Sequence, residues 1–141
     1  MIVLDTNVIS EVMRPGPDPN VVDWLAAQDS GSVYLTAISA AELRYGVAVL
    51  NDGKRKNALA EIVSGILQED FRDRVLSFDA AAAEVYAAIG SARRAVGRPI
   101  SQFDCQIAAI VRAQGAALAT RNGPDFEGCG IDVVDPWRIG A

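Results

Sequence analysis

The chain has 141 residues, half of them hydrophobic, and a formal net charge of −5 at pH 7. This length and composition predict a single globular domain and exclude a disordered or fibrous chain. No apolar stretch approaches the roughly 18 residues that span a bilayer, and the first residues do not resemble a signal peptide, so we expect a cytoplasmic protein with no membrane partner.

The residue types that are missing narrow the possible chemistry. Histidine is absent, and the two cysteines, Cys105 and Cys129, belong to no Cys-x-x-Cys element. These facts exclude histidine metal sites and Ser-His-Asp or Cys-His catalysis, and they argue against a structural zinc site or a disulfide framework. The acidic balance argues against loose, nonspecific binding to nucleic acid. A local basic rim and a bound cation would still allow a nucleic-acid substrate.

The first half of the chain predicts two strands and four helices. The apolar run IVLD at 2–5 predicts a buried strand, and VYLTAI at 33–38 predicts a second one. Helices are expected near 7–13, from about 20 to 28, from Ser39 to Leu50, and over roughly 54–69.

The second half predicts three short strands and two helices. The strands are expected at 74–78, 116–120 and 131–134. Asp79 is expected to cap a helix over 80–96, and Ser101 to begin a helix that runs to about Gln114. Strands that alternate with helices predict an α/β sandwich around a mainly parallel sheet of about five strands, in one domain over residues 1–141.

Acidic residues fall where strands end and helices begin. Asp5 ends the first strand, Glu42 lies in the predicted first turn of the helix after the second strand, and Asp104 lies in the first turn of a later helix. Asn122 and Asp125 follow the strand ALAT. Because ligands bind at the carboxyl ends of parallel strands, we expect these side chains to gather at one edge of the sheet.

Each acid also has a structural explanation as a helix cap. Asp5 could cap the following helix, Ser39 and Glu42 fit a capping box, and Ser101 with Asp104 is a near variant. Helix dipoles favour acids in first turns as well. Capping does not require the acids to converge on one edge of the sheet, whereas a metal site does.

Converging carboxylates predict a hard divalent cation, Mg²⁺ with Mn²⁺ as a substitute. Without a cation, like charges at short range would force one carboxyl group to stay protonated. In a chain without histidine, a metal-activated water is the expected nucleophile for hydrolysis of a phosphodiester. Asp5 and Asp104 would be ligands, and Glu42 a ligand or the group that holds the attacking water. Supporting hydrogen bonds are expected from Thr6, Asn7, Thr120 and Asn122.

Four segments form an ordered set of motifs that covers nearly the whole chain. They are LDTNVIS at 4–10, ISAAELRYG at 38–46, FDCQIAAIV at 103–111 and ATRNGPDFEG at 119–128, followed by DPW at 135–137. The set resembles PIN-domain proteins, and within them the VapC and FitB toxins of bacterial toxin-antitoxin pairs. The resemblance implies the PIN fold and Mg²⁺-dependent endoribonuclease activity on single-stranded RNA, commonly tRNA or rRNA. It assigns the family's three acids to Asp5, Glu42 and Asp104.

The chain departs from the family pattern at one position. The fourth acid of the family often stands two residues after the threonine, where this chain has Asn122. Asp125 belongs to a DF pair typical of this branch and could partly substitute. The sequence therefore leaves open whether one metal ion binds or two.

The resemblance also implies partners. Such toxins usually form homodimers, and a small VapB-type antitoxin covers the active site. The complex binds operator DNA through the antitoxin. Surfaces of this chain stay unassigned: the apolar stripes on the helices at 54–69 and 80–96 could be core or interface. Arg93, Arg94 and Arg98 could line a phosphate path or form a solvated cluster.

Two other functions fit part of the pattern. A haloacid-dehalogenase-type phosphatase requires Asp-x-Asp where this chain has Asp5-Thr6-Asn7, and a response-regulator receiver requires a lysine near the end of the domain, whereas the only lysines lie mid-chain at 54 and 56. A non-catalytic binding module with a vestigial acid cluster is the other alternative. Asn122 favours it slightly, and the three intact acids argue against it.

Overall fold

The computed structural model describes residues 1–138, which form five strands and six α-helices, with a pair of α-helices after each of the first three strands. The strands are β1 (Ile2–Leu4), β2 (Val33–Thr36), β3 (Val75–Leu76), β4 (Ala117–Ala119) and β5 (Asp132–Val134). The helices are α1 (Thr6–Met13), α2 (Pro19–Ala26), α3 (Ala37–Ala48), α4 (Lys54–Gly65), α5 (Ala80–Ala95) and α6 (Gln102–Ala113). Single 3₁₀ turns lie at Ser30–Ser32 and Gly123–Phe126, and α4 continues into a π-helical turn at Ile66–Asp70.

The five strands form one parallel sheet in the order β3-β2-β1-β4-β5. The first strand lies at its centre, since Ile2 pairs with Val33 of β2 on one side and with Ala117 of β4 on the other. A parallel five-stranded sheet flanked by six helices confirms the predicted fold class.

Both faces of the sheet are covered by helices. Successive residues of a strand point to opposite faces, so Val3 and Leu118 lie in the core beside α5 and α6, while Leu4 and Ala119 lie in the core beside α1 to α4. All four residues are fully buried. Burial on both faces explains why the central strands are continuous apolar runs rather than alternating ones.

The ends of the elements differ from the predicted ones by a few residues, and one cap is different. Thr36, the last residue of β2, caps α3 and accepts a hydrogen bond of 3.1 Å from the backbone N–H of Ser39. Ser39 therefore lies inside the first turn and Glu42 in the second, so the predicted capping box is wrong. Asp79 and Ser101 cap α5 and α6 as predicted.

The apolar stripes are divided between core and surface. On the segment at 54–69, Val63 and Leu67 are buried, whereas Ile62 is 46% exposed. On α5 and the residue after it, Ile89 is buried and Val96 is 69% exposed. None of the helices in residues 1–138 is long and apolar enough to cross a membrane.

Candidate active site

The sequence-predicted acids come together at the carboxyl edge of the sheet, where the strands end. Asp5 directly follows β1, Glu42 lies on the helix after β2, and Thr120 directly follows β4. These are the three neighbouring strands at the centre of the sheet. Asp104 lies at the start of α6. Because α6 ends just before β4 begins, the helix runs back along the strand in the opposite direction, and its start lies at the carboxyl end of β4.

Asp5 is 6% exposed, and each of its carboxylate oxygens has a separate task. Oδ1 accepts a hydrogen bond of 2.8 Å from the backbone N–H of Thr6, which caps α1. Oδ2 accepts a hydrogen bond of 2.7 Å from Thr120 Oγ1, and Asn7 Nδ2 lies 3.5 Å from the same oxygen and 3.2 Å from Thr120 Oγ1. The predicted capping role is therefore correct for one oxygen, and the other is held by residues of the site.

Glu42 is joined to the first strand by a hydroxyl group. Thr6 Oγ1 lies 3.0 Å from Glu42 Oε1 and 2.9 Å from Ser39 Oγ. A hydroxyl has one hydrogen, so when Thr6 donates to the carboxylate, Ser39 donates to Thr6. Ser39 is fully buried and lies 3.4 Å from Thr36 Oγ1. Thr36 and Ser39 are therefore further supporting residues, which were not among the predicted ones although two hydroxyl residues at the end of a predicted strand are a usable signal.

Burial raises the pKa of the Asp5 carboxyl group above its ordinary value. Hydrogen bonds from Thr120 and Thr6 oppose this rise because they favour the ionised form. The negative charges of Asp104 and Asp125 add to it. Asp5 is thus a desolvated carboxylate close to like charges.

Glu42 and Asp104 have raised pKa values for the same main reason, which is desolvation. The Thr6 hydroxyl lowers the pKa of Glu42, and the charge of Asp104 raises it. The charge of Asp125 raises the pKa of Asp104, whereas the cation of Arg93 lowers it. All three acids therefore lie in a region with excess negative charge.

The donor set fits a hard divalent cation in its chemistry. The site offers carboxylate, hydroxyl and amide oxygens, the ligands preferred by Mg²⁺ and Mn²⁺. A divalent charge would also relieve the repulsion that raises the pKa values of Asp5, Glu42 and Asp104. Residues 1–138 contain no group of three acidic, histidine or cysteine side chains spaced to hold an ion as they stand. The acids would thus have to draw closer together around an ion.

Asn122 and Asp125 enter the site in different ways. The backbone N–H of Asn122 donates a hydrogen bond of 3.1 Å to Thr120 Oγ1. Asp125 lies in the 3₁₀ turn before the buried Phe126, and its charge raises the pKa values of both Asp5 and Asp104. Asp125 is therefore the acid of this loop whose charge acts on the carboxyl groups of Asp5 and Asp104.

Arg93 differs from both expectations for the arginine cluster. It is 7% exposed, so it is neither solvated nor open to a phosphate, whereas Arg94 and Arg98 are exposed. Its Nε donates to the carbonyl of Arg98 at 2.7 Å, and its Nη1 donates to the carbonyls of Asp125 and Glu127 at 2.9 Å and 3.0 Å. Nothing in the local sequence SARRAVG separates this arginine from its exposed neighbour.

Comparison with known proteins gives matches over almost the whole chain. A family model described as the PIN domain matches residues 2–128. A VapC ribonuclease, Y4jK, from Sinorhizobium fredii is 41% identical over 138 residues, covering 98% of this chain and 99% of the relative. The toxin FitB from Neisseria gonorrhoeae is 43% identical over 138 residues with the same coverage.

A solved structure matches equally fully. The structure of FitAB bound to an IR36 DNA fragment has a TM-score of 0.94 and 41% sequence identity. The match covers 100% of this chain and 99% of that chain. The likeness therefore extends across the sheet, its helices and the edge where the acids gather.

Proposed function

The chain belongs to the PIN-domain family and is an endoribonuclease of the VapC and FitB type, and from this premise we propose that it is a Mg²⁺-dependent toxin that hydrolyses single-stranded RNA. The proposed targets are tRNA or rRNA, and Mn²⁺ is expected to substitute for Mg²⁺. We further propose that residues 1–141 act as a single PIN domain.

One observation carries the proposal: Asp5, Glu42 and Asp104 come from three separate segments of the chain, yet each acts electrostatically on at least one of the others. Thr6 ties two of them together, since its backbone N–H donates to Asp5 Oδ1 and its hydroxyl lies within hydrogen-bond distance of Glu42 Oε1. Helix capping alone would explain Asp5, but not the hydrogen bond between Thr6 and Glu42. A site for a divalent cation and a phosphate explains both.

In the proposed reaction the side chains bind, orient and hold charge. A bound divalent cation would neutralise charge at the phosphate and lower the pKa of a water molecule. Asp5 and Asp104 would hold the ion, and the hydrogen bond from the Thr120 hydroxyl favours the ionised form of Asp5 and orients its carboxylate. Glu42 uses Oε1 to accept from Thr6, which leaves Oε2 to bind the ion or to orient the attacking water. Attack by water would leave a 5′-phosphate and a 3′-hydroxyl.

We also propose the partners of this chain. The similar FitAB structure was solved with a DNA fragment, which supports a cognate VapB-type antitoxin and an operator that is bound through the antitoxin. A homodimer is the expected state of the toxin. Size-exclusion chromatography with light scattering, on the chain alone and with the co-expressed antitoxin, tests both assemblies.

RNA cleavage by the purified chain tests the function. Total RNA is incubated with wild type in Mg²⁺, with wild type in EDTA, and with Asp5→Asn in Mg²⁺. Asp132→Asn is the matched control, because Asp132 is an exposed acid that pairs with Ala117 at the other end of the strands. Discrete fragments only for wild type and the control in Mg²⁺ are expected. Fragments that end in a 2′,3′-cyclic phosphate would contradict hydrolysis by water.

A non-catalytic binding module is the second candidate. It is favoured by Asn122 in place of the family's fourth acid, and by the lack of three tightly grouped acids in residues 1–138. Wild-type protein that is free of antitoxin, binds Mg²⁺ by calorimetry and cleaves no RNA would support it. An aspartate-dependent phosphohydrolase would instead trap phosphate covalently on Asp5, which a radiolabelled acyl-phosphate donor would reveal.

A further inference from the structure

The cation of Arg93 is buried without an acidic partner. Among residues 1–138 no carboxylate oxygen lies within 4 Å of its guanidinium. A buried charge is costly unless hydrogen bonds replace those lost with water. Arg93 meets this requirement with the carbonyls of Arg98, Asp125 and Glu127, and its Nη1 also lies 3.6 Å from Cys129 Sγ.

These acceptors place the loop between β4 and β5 around the arginine. The carbonyls of Asp125 and Glu127 flank Phe126, which is 2% exposed and packs in the core beside α5 and α6. Gly128 then reverses the chain with a φ of 77°, and a Cβ atom at that position would lie 3.8 Å from Arg93 Cδ. Arg93 therefore fixes the backbone on both sides of the buried phenylalanine.

The carboxylate of Asp125 has no comparable support of its own. Within the described part of the chain it accepts no hydrogen bond and forms no ion pair, and the residue is exposed. Its position depends on its backbone, whose N–H donates to the carbonyl of Asn122 at 3.0 Å and whose carbonyl accepts from Arg93. Arg93 thus supplies the connection that ties Asp125 to a rigid helix.

We propose that Arg93 is a positioning residue that, through the backbone of Asp125, holds this carboxylate at the site as the fourth acidic group in place of Asn122. The inference rests on the proposed function, because the fourth acid matters only to a site that binds a cation. It also assigns Arg93 a task other than contact with RNA phosphates. Its neighbour Arg94, on the same helix, is exposed and makes none of these contacts.

Mn²⁺ binding, followed by isothermal titration calorimetry, tests this role without relying on catalysis. The proteins compared are wild type, Arg93→Lys, Asp125→Asn and the double variant, with Arg94→Lys as the control. Lysine keeps the charge of Arg93 but cannot reach the carbonyls on both sides of it. Supporting groups around metal ligands are typically worth 10- to 100-fold in affinity, so we expect each single variant to weaken Mn²⁺ binding about tenfold. The double variant should bind no more weakly than either single one.

The outcomes are distinct. Equal affinity in Arg93→Lys and wild type would overturn the proposal, as would losses that add up in the double variant, since these would mean that Arg93 does not act through Asp125. Should Arg93→Lys fail to fold in a melting experiment, Asp125→Asn decides alone, because an exposed Asp-to-Asn change leaves the fold intact and wild-type affinity in it would exclude a fourth acid. Wild type that binds no Mn²⁺ would overturn the proposed function, and this inference with it.

Discussion

The hydroxyl of Thr120 donates a hydrogen bond of 2.7 Å to Asp5 Oδ2 and so joins the ends of the neighbouring strands β1 and β4 at a candidate acid of the site. The same hydroxyl accepts from the backbone N–H of Asn122 and lies 3.2 Å from Asn7 Nδ2. One side chain therefore connects three residues of two segments that are more than a hundred positions apart.

Thr120→Val is expected to lower the rate of RNA cleavage by about 10- to 100-fold, because valine keeps the shape of threonine but removes the short hydrogen bond to Asp5 Oδ2 and leaves that oxygen only the more distant Asn7 amide. The pKa of Asp5 should rise further, since the Thr120 hydrogen bond lowers it. Steady-state kinetics with a fluorogenic RNA measures the loss. Thr120→Ser retains the hydroxyl and is the control. An active Thr120→Val protein would show that Asp5 needs no support from β4.

Asp5→Asn is expected to stabilise the metal-free protein at neutral pH while abolishing cleavage. Burial raises the pKa of Asp5 in the folded protein above its value in the unfolded chain. Below the unfolded-state pKa the group is protonated in both states and does not change the free energy of unfolding. Above the folded-state pKa it is ionised in both states, and the cost of ionising a buried group lowers the free energy of unfolding in full. Asparagine mimics the protonated carboxyl and removes that cost. Thermal melting in EDTA at pH 8 should therefore show a higher melting temperature for the variant. At a pH below the ordinary pKa of aspartate the two proteins should melt alike, and a gain at low pH alone would reverse the argument.

A divalent cation is expected to reverse that order of stabilities. An ion that binds only the folded state stabilises it by about 2.7 kcal/mol at a concentration 100 times its dissociation constant. Scanning calorimetry at pH 8 should show this gain with Mg²⁺ for wild type and little of it for Asp5→Asn. The stabilisation by the ion should fade as the pH drops, because protonated carboxyl groups do not bind it. It should fade at a higher pH than it would for carboxyl groups with ordinary pKa values, because the pKa values of Asp5, Glu42 and Asp104 are raised. An equal gain in both proteins would place the ion elsewhere.

Arg74→Met is expected to affect stability without affecting the chemistry. The guanidinium of Arg74 donates to the carbonyls of Ser30, Val33 and Asp70, and Val33 begins β2 at the edge of the sheet away from the acids. Loss of these donors should lower the free energy of unfolding by about 1–3 kcal/mol. Urea unfolding measures the change, and Arg72→Met, at an exposed neighbour, should stay within about 0.5 kcal/mol of wild type. Cleavage per folded molecule should not change.

The sequence predicted the parts of the site that follow from local rules. A buried apolar run that ends in an acid located Asp5, and the serine before a helical pattern located Asp104. Both positions in the fold were predictable because strand periodicity and N-cap chemistry depend on nearby residues, and Asp5 indeed follows β1 while Asp104 lies in the first turn of α6. The roles of the two acids in the site stay predictions. The convergence of these acids also followed, because a parallel sheet places its strand ends at one edge.

The rest depended on contacts between distant segments. The sequence predicts a cap at Ser39 because it places Thr36 inside a longer strand, whereas pairing with β3 ends β2 at Thr36. It does not separate Arg93 from the exposed arginines, because the burial of Arg93 depends on a loop more than thirty residues later. No local pattern distinguishes a guanidinium that binds carbonyls from one in water.

The central position of β1 has a consequence for synthesis on the ribosome. Its neighbour β4 begins at Ala117, so the first strand must wait for more than a hundred residues before its second side is paired. Loop closure over such a separation is slow, and partly made chains leave strand edges open. Thr120 follows that same late strand, so Asp5 gains its hydrogen bond only when nearly the whole chain has been made. A nascent or truncated chain that has not reached β4 would thus lack a completed site.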